Sequence, residues 1–189
     1  MQWELTNRKS ALKTFPFEVE ELSFLEKRNK NPLPHTFFRI NSPSWVNILP
    51  ITSDGQAILI RQPRAGSLSD VLETPGGCID PGEKDPTMSA VRELEEETGF
   101  STQRILPLAS LNPNPALMNN KVHMFLALNC TPVMNRKHFP DESERIETVL
   151  VPAKSLAGLV RRGEMDNCLA ALCIFLAAKY VDVGLSEAT

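Results

Sequence analysis

Four glutamates fall within five positions of the stretch Arg92-Glu93-Leu94-Glu95-Glu96-Glu97-Thr98-Gly99. On a helix of about 3.6 residues per turn, Glu93, Glu96 and Glu97 stand at i, i+3 and i+4 and project to one side. Taken alone, such a run is a solvated helix face. Three converging carboxylates carry a second reading, because like charges repel unless something positive sits among them. Hard oxygen donors suit Mg2+ or Mn2+. Arg92 lies one turn before Glu96 and could neutralise and orient a ligand. Met88, Val91 and Leu94 form an adjoining apolar stripe, expected to pack on a sheet, and Glu95 is expected to face solvent.

These side chains need a rigid helix and a tight loop. Asp85 is a good N-cap, Pro86 suits the first helical position, and Gly99 suits the residue past the last turn. The spacing therefore predicts a helix over 86–98. Ahead of it, Glu73-Thr74-Pro75-Gly76-Gly77 ends a strand and turns sharply. By itself this segment reads as a plain turn; beside an acidic helix, it can offer a backbone carbonyl to a metal. Strands are expected over 45–52 and 57–62, joined by the turn Ser53-Asp54-Gly55-Gln56, then over 71–74, 121–128 and 147–151. Helices are expected over 152–160 and about 166–180. Strands, helix, strands, helices in that order predict an α/β domain whose mixed sheet is covered by helices. Prolines at 16, 32, 34 and 43 break up the first 44 residues, which are expected to form an arm or a small β extension. The main domain is expected over 45–182, with a tail over 183–189.

The stretch from Gly77 to Phe100 resembles the Nudix box, which reads Gly, five residues, Glu, seven residues, then Arg-Glu-aliphatic-any-Glu-Glu-any-Gly-aliphatic. This chain gives Gly77, five residues, Glu83, eight residues, then Arg92-Glu93-Leu94-Glu95-Glu96-Glu97-Thr98-Gly99-Phe100. The extra residue is placed near Lys84, ahead of the Asp85 cap. The resemblance implies the Nudix fold, an α-β-α sandwich around a mixed central β-sheet. It implies Mg2+ or Mn2+ bound by Glu93 and Glu97, with Glu96 as a ligand to a second ion or a supporting base. It also implies the Gly76 carbonyl as a backbone ligand and Arg92 as a supporting group. Relatives acting on ADP-ribose often place a further glutamate in a loop after the box; Glu142 and Glu144 are the candidates, and a solvated acidic loop is the other reading.

Trp45-Val46-Asn47, Leu59-Ile60-Arg61-Gln62-Pro63-Arg64, the 73–77 segment and Gly163-Glu164 resemble the ADP-ribose and nucleoside diphosphate sugar pyrophosphatase branch. Members preferring ADP-ribose tend to carry a proline about fifteen residues past the box, where this chain has Pro115 in Asn114-Pro115-Ala116 rather than Ser-Pro-Gly. The resemblance covers roughly residues 45 to 180. It implies metal-dependent hydrolysis of the pyrophosphate bond of ADP-ribose or a nucleotide sugar, and a homodimer whose N-terminal arm crosses to the second subunit. A nucleoside triphosphate or capped-RNA pyrophosphohydrolase is the alternative enzyme. A non-catalytic nucleotide-sugar sensor is the alternative outside enzymes; retention of all three glutamates and the lack of a basic recognition helix argue against it.

Composition sets the limits on these readings. The chain has 189 residues, 42% hydrophobic and 23% charged, with a net charge of −3. That is ordinary globular usage, with no basic footprint for nucleic acid. An anionic substrate must be met locally, by arginines or metal ions. Arg61 and Arg64 either reach phosphates or solubilise the surface. Trp3, Phe15 and Phe17 either stack on a base or simply pack, and His123 reads as a satisfied core histidine. No apolar run approaches the ~20 residues that span a bilayer. The N-terminal residues lack a signal-like apolar segment. Cys78, Cys130, Cys168 and Cys173 show no zinc spacing and read as buried thiols in a reducing, cytoplasmic setting.

Overall fold

A computed structural model describes residues 2–28, 31–140 and 145–185. The chain forms two compact units, one of Met1–Ser44 with Leu111–Lys121, the other of Trp45–Ser110 with Val122–Thr189.

The first unit is built on an antiparallel sheet in the order β1 (Trp3–Lys13), β2 (Glu18–Glu26), β3 (His35–Asn41). These strands are 11, 9 and 7 residues long. β1 is exposed along nearly its whole length, so no alternation of polarity marks it in the sequence. Cross-strand side-chain pairs support it instead. Lys9 meets Glu21 at 3.0 Å. Buried Glu20 on β2 accepts from Arg39 Nε and Nη2 at 2.9 and 2.6 Å. Trp3 packs edge-on against His35 and Phe37 within this unit. Phe15, Phe37 and Phe38 remain exposed. The 111–121 segment joins this unit through Ile40, whose N–H donates to Leu117 O at 2.7 Å, and through Asn119, whose side chain donates to Asn41 at 2.7 Å. Pro115 sits in a turn where the N–H groups of Leu117 and Met118 both donate to Asn114 O.

The second unit contains β4 (Trp45–Thr52), β5 (Gln56–Arg64), β6 (Ser69–Glu73), α1 (Pro86–Thr98), β7 (Phe100–Ser101), β8 (Arg104–Leu111), β9 (Val122–Pro132), β10 (Glu147–Pro152), α2 (Leu156–Arg161) and α3 (Cys168–Ala177). Its sheet runs β10-β5-β4-β9-β7, with β6 beside β5 and β8 beside β9. β4 and β9 are parallel; β5 pairs antiparallel with β4, β6 and β10, so the sheet is mixed. Alternation along β4 and β9 sends Val46, Ile48, Phe125 and Ala127 to one face, where they pack with Ala90 and Leu94 of α1. Leu49, Ile51, Met124 and Leu126 go to the other face, against Leu156 of α2 and Ala170, Cys173 and Ile174 of α3. The result is the expected three-layer α-β-α arrangement.

Helix α1 has the predicted bounds. Asp85 accepts from Thr87 N at 2.9 Å, and Gly99 closes the helix at φ 73°, its N–H donating to Glu95 O at 2.8 Å. The packing stripe differs from expectation. Met88 is 61% exposed, and Ala90 with Leu94 makes the buried contact, because small Ala90 lets the helix approach the sheet. α3 begins after Asn167, whose side chain caps Leu169 N and Ala170 N. Cys130 and Cys173 are buried, as expected, whereas Cys168 is exposed on the first turn of α3. No helix among the described residues is long and apolar enough to cross a membrane.

Candidate active site

The loop after β6 runs alongside β4. Val46 N donates to Gly77 O and Ile48 N to Pro75 O, both at 2.9 Å. Gly76, between them, donates its own N–H to Glu97 Oε2 on α1 at 2.7 Å. Both glycines allow a close approach, Gly76 to backbone and Gly77 to a side chain. A Cβ on Gly76 would overlap the Val46 carbonyl oxygen, and one on Gly77 would overlap the Glu93 carboxylate.

Glu93 and Glu97 thus stand one helical turn apart, both buried, against the backbone of Gly77 and Gly76. Arg92 binds this cluster together. Its Nη1 lies 3.0 Å from Glu93 Oε1 and 2.8 Å from Glu96 Oε2. Its Nη2 donates to Cys78 O at 3.2 Å and approaches Asp80 at 3.5 Å. Burial lowers the affinity of this guanidinium for its proton, but the surrounding Glu93, Glu96 and Asp80 carboxylates outweigh that, and its pKa is raised. The three glutamates do not form one preassembled cage. Glu96 is held by Arg92 and Glu97 by Gly76. Among the described residues no three His, Cys, Asp or Glu side chains are grouped to hold a metal as they stand. The donor types nonetheless fit a hard divalent cation: two buried carboxylates beside the Gly76-Gly77 backbone, and a cradle at Gly77 that a Cβ would fill.

Glu83 is not part of this group. Its carboxylate accepts from Ser89 Oγ at 2.5 Å, and its N–H closes a turn on Asp80 O at 3.1 Å. Gly82 in that turn has φ +92°, and exposed Lys84 separates the turn from the Asp85 cap. Glu95 does not simply face solvent. Its Oε1 accepts from Lys137 N at 2.6 Å and His138 N at 3.3 Å. Arg136 donates to Glu96 O and stacks on Phe139 at 5.0 Å, fixing the same segment to the helix end.

A cavity of about 580 Å³ opens beside the loop, with Gly76, Gly77, Trp45, Arg64, Glu73 and Asn167 on its wall. Cys78 also lines it; burial pushes its thiol pKa up and the Glu93 carboxylate adds to the rise. The link from the cavity to the glutamates is the backbone of Gly76 and Gly77, which lines the cavity and lies against Glu97 and Glu93. Of the two arginine candidates, Arg64 lines the cavity and Arg61 does not. Arg61 points to Glu147 across the β5–β10 pair at 3.5 Å. His123 is half-buried on β9 and lines a separate cavity of about 340 Å³. Pro115 belongs to the first unit. Glu142 and Glu144 lie outside the described residues. Nothing in the local sequence marks Trp45, Glu73 and Asn167 as residues of this wall, although an Asp166-Asn167 pair ahead of an apolar run is a recognisable cap.

Comparison with known proteins gives a consistent result. The NUDIX domain model matches residues 42–170. The ADP-ribose pyrophosphatase of Bacillus subtilis (strain 168) is 30% identical over 135 residues, covering 71% of this chain and 72% of that protein. The ADP compounds hydrolase NudE of Escherichia coli (strain K12) is 27% identical over 177 residues, covering 94% of this chain and 92% of that one. A crystal structure of an ADP compounds hydrolase superposes with a TM-score of 0.80 at 25% identity, over 95% of this chain and 94% of the other.

Proposed function

Because the chain belongs to the Nudix hydrolase family, we propose that it hydrolyses the pyrophosphate bond of ADP-ribose or a related nucleoside diphosphate sugar with the help of Mg2+ or Mn2+. Water adds to one phosphorus, the bridging P–O bond breaks, and a nucleoside monophosphate and a sugar phosphate leave. The observation that carries this reading is the pair of buried carboxylates, Glu93 and Glu97, seated on the Gly76-Gly77 backbone at the edge of a substrate-sized cavity. The names of the relatives support the substrate class.

Glu93, Glu97 and the Gly76 carbonyl are the groups that would hold the cation. When bound, the metal supplies Lewis acidity toward the phosphate oxygens and the attacking water. The chain's own residues prepare the site. Arg92 fixes Glu93 and Glu96 in place. The Gly76 N–H sets the rotamer of Glu97. Glu96 takes the role of second ligand or supporting base, and Arg64 faces the substrate from the cavity wall. A homodimer is part of this reading, supported by exposed Phe15, Phe37 and Phe38 on the three-stranded unit. So is a reducing, cytoplasmic setting, supported by four unpaired cysteines.

The experiment is incubation of the purified protein with Mg2+ and ADP-ribose, ADP-glucose, UDP-glucose, GDP-mannose, nucleoside triphosphates and capped RNA, with products identified by mass. AMP and ribose phosphate from ADP-ribose, lost in Glu97→Gln, is the expected result. Cleavage of triphosphates or capped RNA alone would overturn the substrate class. Tight binding of a nucleotide sugar without cleavage would replace the enzyme with a sensor.

A further inference from the structure

Among the described residues that line the cavity, Arg64 is the one cation, and its position is set from behind. Arg64 Nε donates to Glu73 Oε1 at 2.7 Å and Nη2 to Glu73 Oε2 at 3.1 Å. The same Oε2 accepts from Asn167 Nδ2 at 2.8 Å, across 94 residues of sequence. Glu73 is buried, its side chain 4% exposed, whereas that of Arg64 is 46% exposed. A carboxylate taken out of water needs charged or hydrogen-bonding partners, and this one has three N–H donors. Asn167 uses its other atom, Oδ1, to cap α3 through Leu169 N and Ala170 N. One buried carboxylate therefore ties the end of β6, the end of β5 and the N-terminus of α3 to a single guanidinium. The planar fork gives Arg64 one orientation, with the Nη1 end directed away from Glu73.

We propose that Glu73 is a positioning residue for substrate: without touching the diphosphate, it holds Arg64 in the orientation that binds it, with Asn167 bracing the carboxylate. This rests on the pyrophosphatase reading above for the identity of the ligand. Charge alone argues the opposite way, since a carboxylate near an anion site opposes binding and its neutralisation should tighten it. The two accounts therefore differ in sign.

The test is equilibrium titration with α,β-methylene ADP-ribose, a non-cleavable analogue, in the presence of Mg2+, with ADP-ribose turnover measured alongside. Glu73→Gln is expected to weaken binding about tenfold, as loss of uniform binding that raises KM far more than it lowers kcat. Arg64→Ala should cost at least as much, and the double variant no more than Arg64→Ala, because the two residues act as one unit. Arg64→Lys keeps the charge on a half-exposed side chain and loses the fork, so it too should weaken binding, which guards against a folding defect in Glu73→Gln. Asn167→Asp keeps the helix cap and removes the donor to Glu73, and should weaken binding with helix content unchanged. Unchanged or tighter binding in Glu73→Gln, or additive losses in the double variant, would overturn the proposal. If wild type shows this pattern of affinities but never turns over ADP-ribose, the pyrophosphatase reading fails and the positioning role stands.

Discussion

The backbone N–H of Gly76 donates to Oε2 of Glu97 at 2.7 Å, so a loop amide sets the orientation of a helix carboxylate 21 residues further on. Gly77, its neighbour, lies against the carboxylate of Glu93. The two glycines thus shape the acidic site through the absence of side chains, and alanine at each should fail differently. On Gly77→Ala the new methyl meets a movable carboxylate. The protein should fold, with activity or metal affinity reduced roughly 10- to 100-fold as ligand orientation is lost. On Gly76→Ala it meets the Val46 carbonyl, which is backbone and cannot yield cheaply. That variant should lose on the order of 1–3 kcal/mol of stability as an overpacked site. Thermal melts and Mg2+ titrations of activity separate the two cases; equal melting temperatures would refute the distinction.

Arg92 serves two carboxylates and a carbonyl with one guanidinium. Lysine supplies a point charge and cannot span the same contacts. Arg92→Lys should therefore raise the Mg2+ concentration for half-maximal activity by roughly 10-fold while leaving the melting temperature near that of wild type. A Mg2+ dependence identical to wild type would show that Arg92 merely neutralises charge.

Much of this arrangement is legible in sequence because it is local. Helix α1 is bracketed by Asp85 and Gly99, caps that act within four residues. The alternation of Val46 and Ile48 with Leu49 and Ile51 assigns β4 to a two-sided sheet, since each face of it is covered. Other features depend on distant partners. The Glu73–Asn167 contact spans 94 residues, and the Glu95–Lys137 contact spans 42, so no periodicity announces either. Strand β8, Arg104–Leu111, carries Pro107 and a weak burial alternation, and the pattern rules pass over it. Met88 fits the helical stripe by spacing, yet Ala90 occupies the close contact; size at the interface, rather than period, decides which residue is buried.

Glu95 sits at the position that the box motif leaves free, and here it pins the 137–138 backbone to α1. The N–H of Lys137 lowers its carboxyl pKa below the ordinary value of 4.5, with His138 N–H adding to the effect. The unfolded chain then binds the proton more readily than the folded one, so stability from this contact is complete above the ordinary pKa and is lost as pH falls through the folded value. Glu95 is mostly solvated, which keeps the effect small through screening. Glu95→Gln should therefore flatten the acid side of the melting-temperature profile below about pH 4.5 and leave the neutral plateau little changed. An acid limb as steep as in wild type would rule out this contact as a contributor.

The four cysteines report on the cavity without any assay of catalysis. Burial raises the Cys173 pKa to about 12 and that of Cys130 to about 11, so both are held as thiols. Cys168 is exposed, and Cys78 is half-buried on the cavity wall. Reactivity follows access and thiolate fraction. A maleimide at pH 7 should label Cys168 first, Cys78 more slowly, and Cys130 and Cys173 only on unfolding, as read by peptide mass. Addition of ADP-ribose with Mg2+ should slow labelling of Cys78 and leave Cys168 unaffected, because only Cys78 shares the cavity with Gly76, Gly77 and Arg64. Equal protection of both thiols would indicate a global tightening of the fold, and protection of neither would place the ligand outside this cavity.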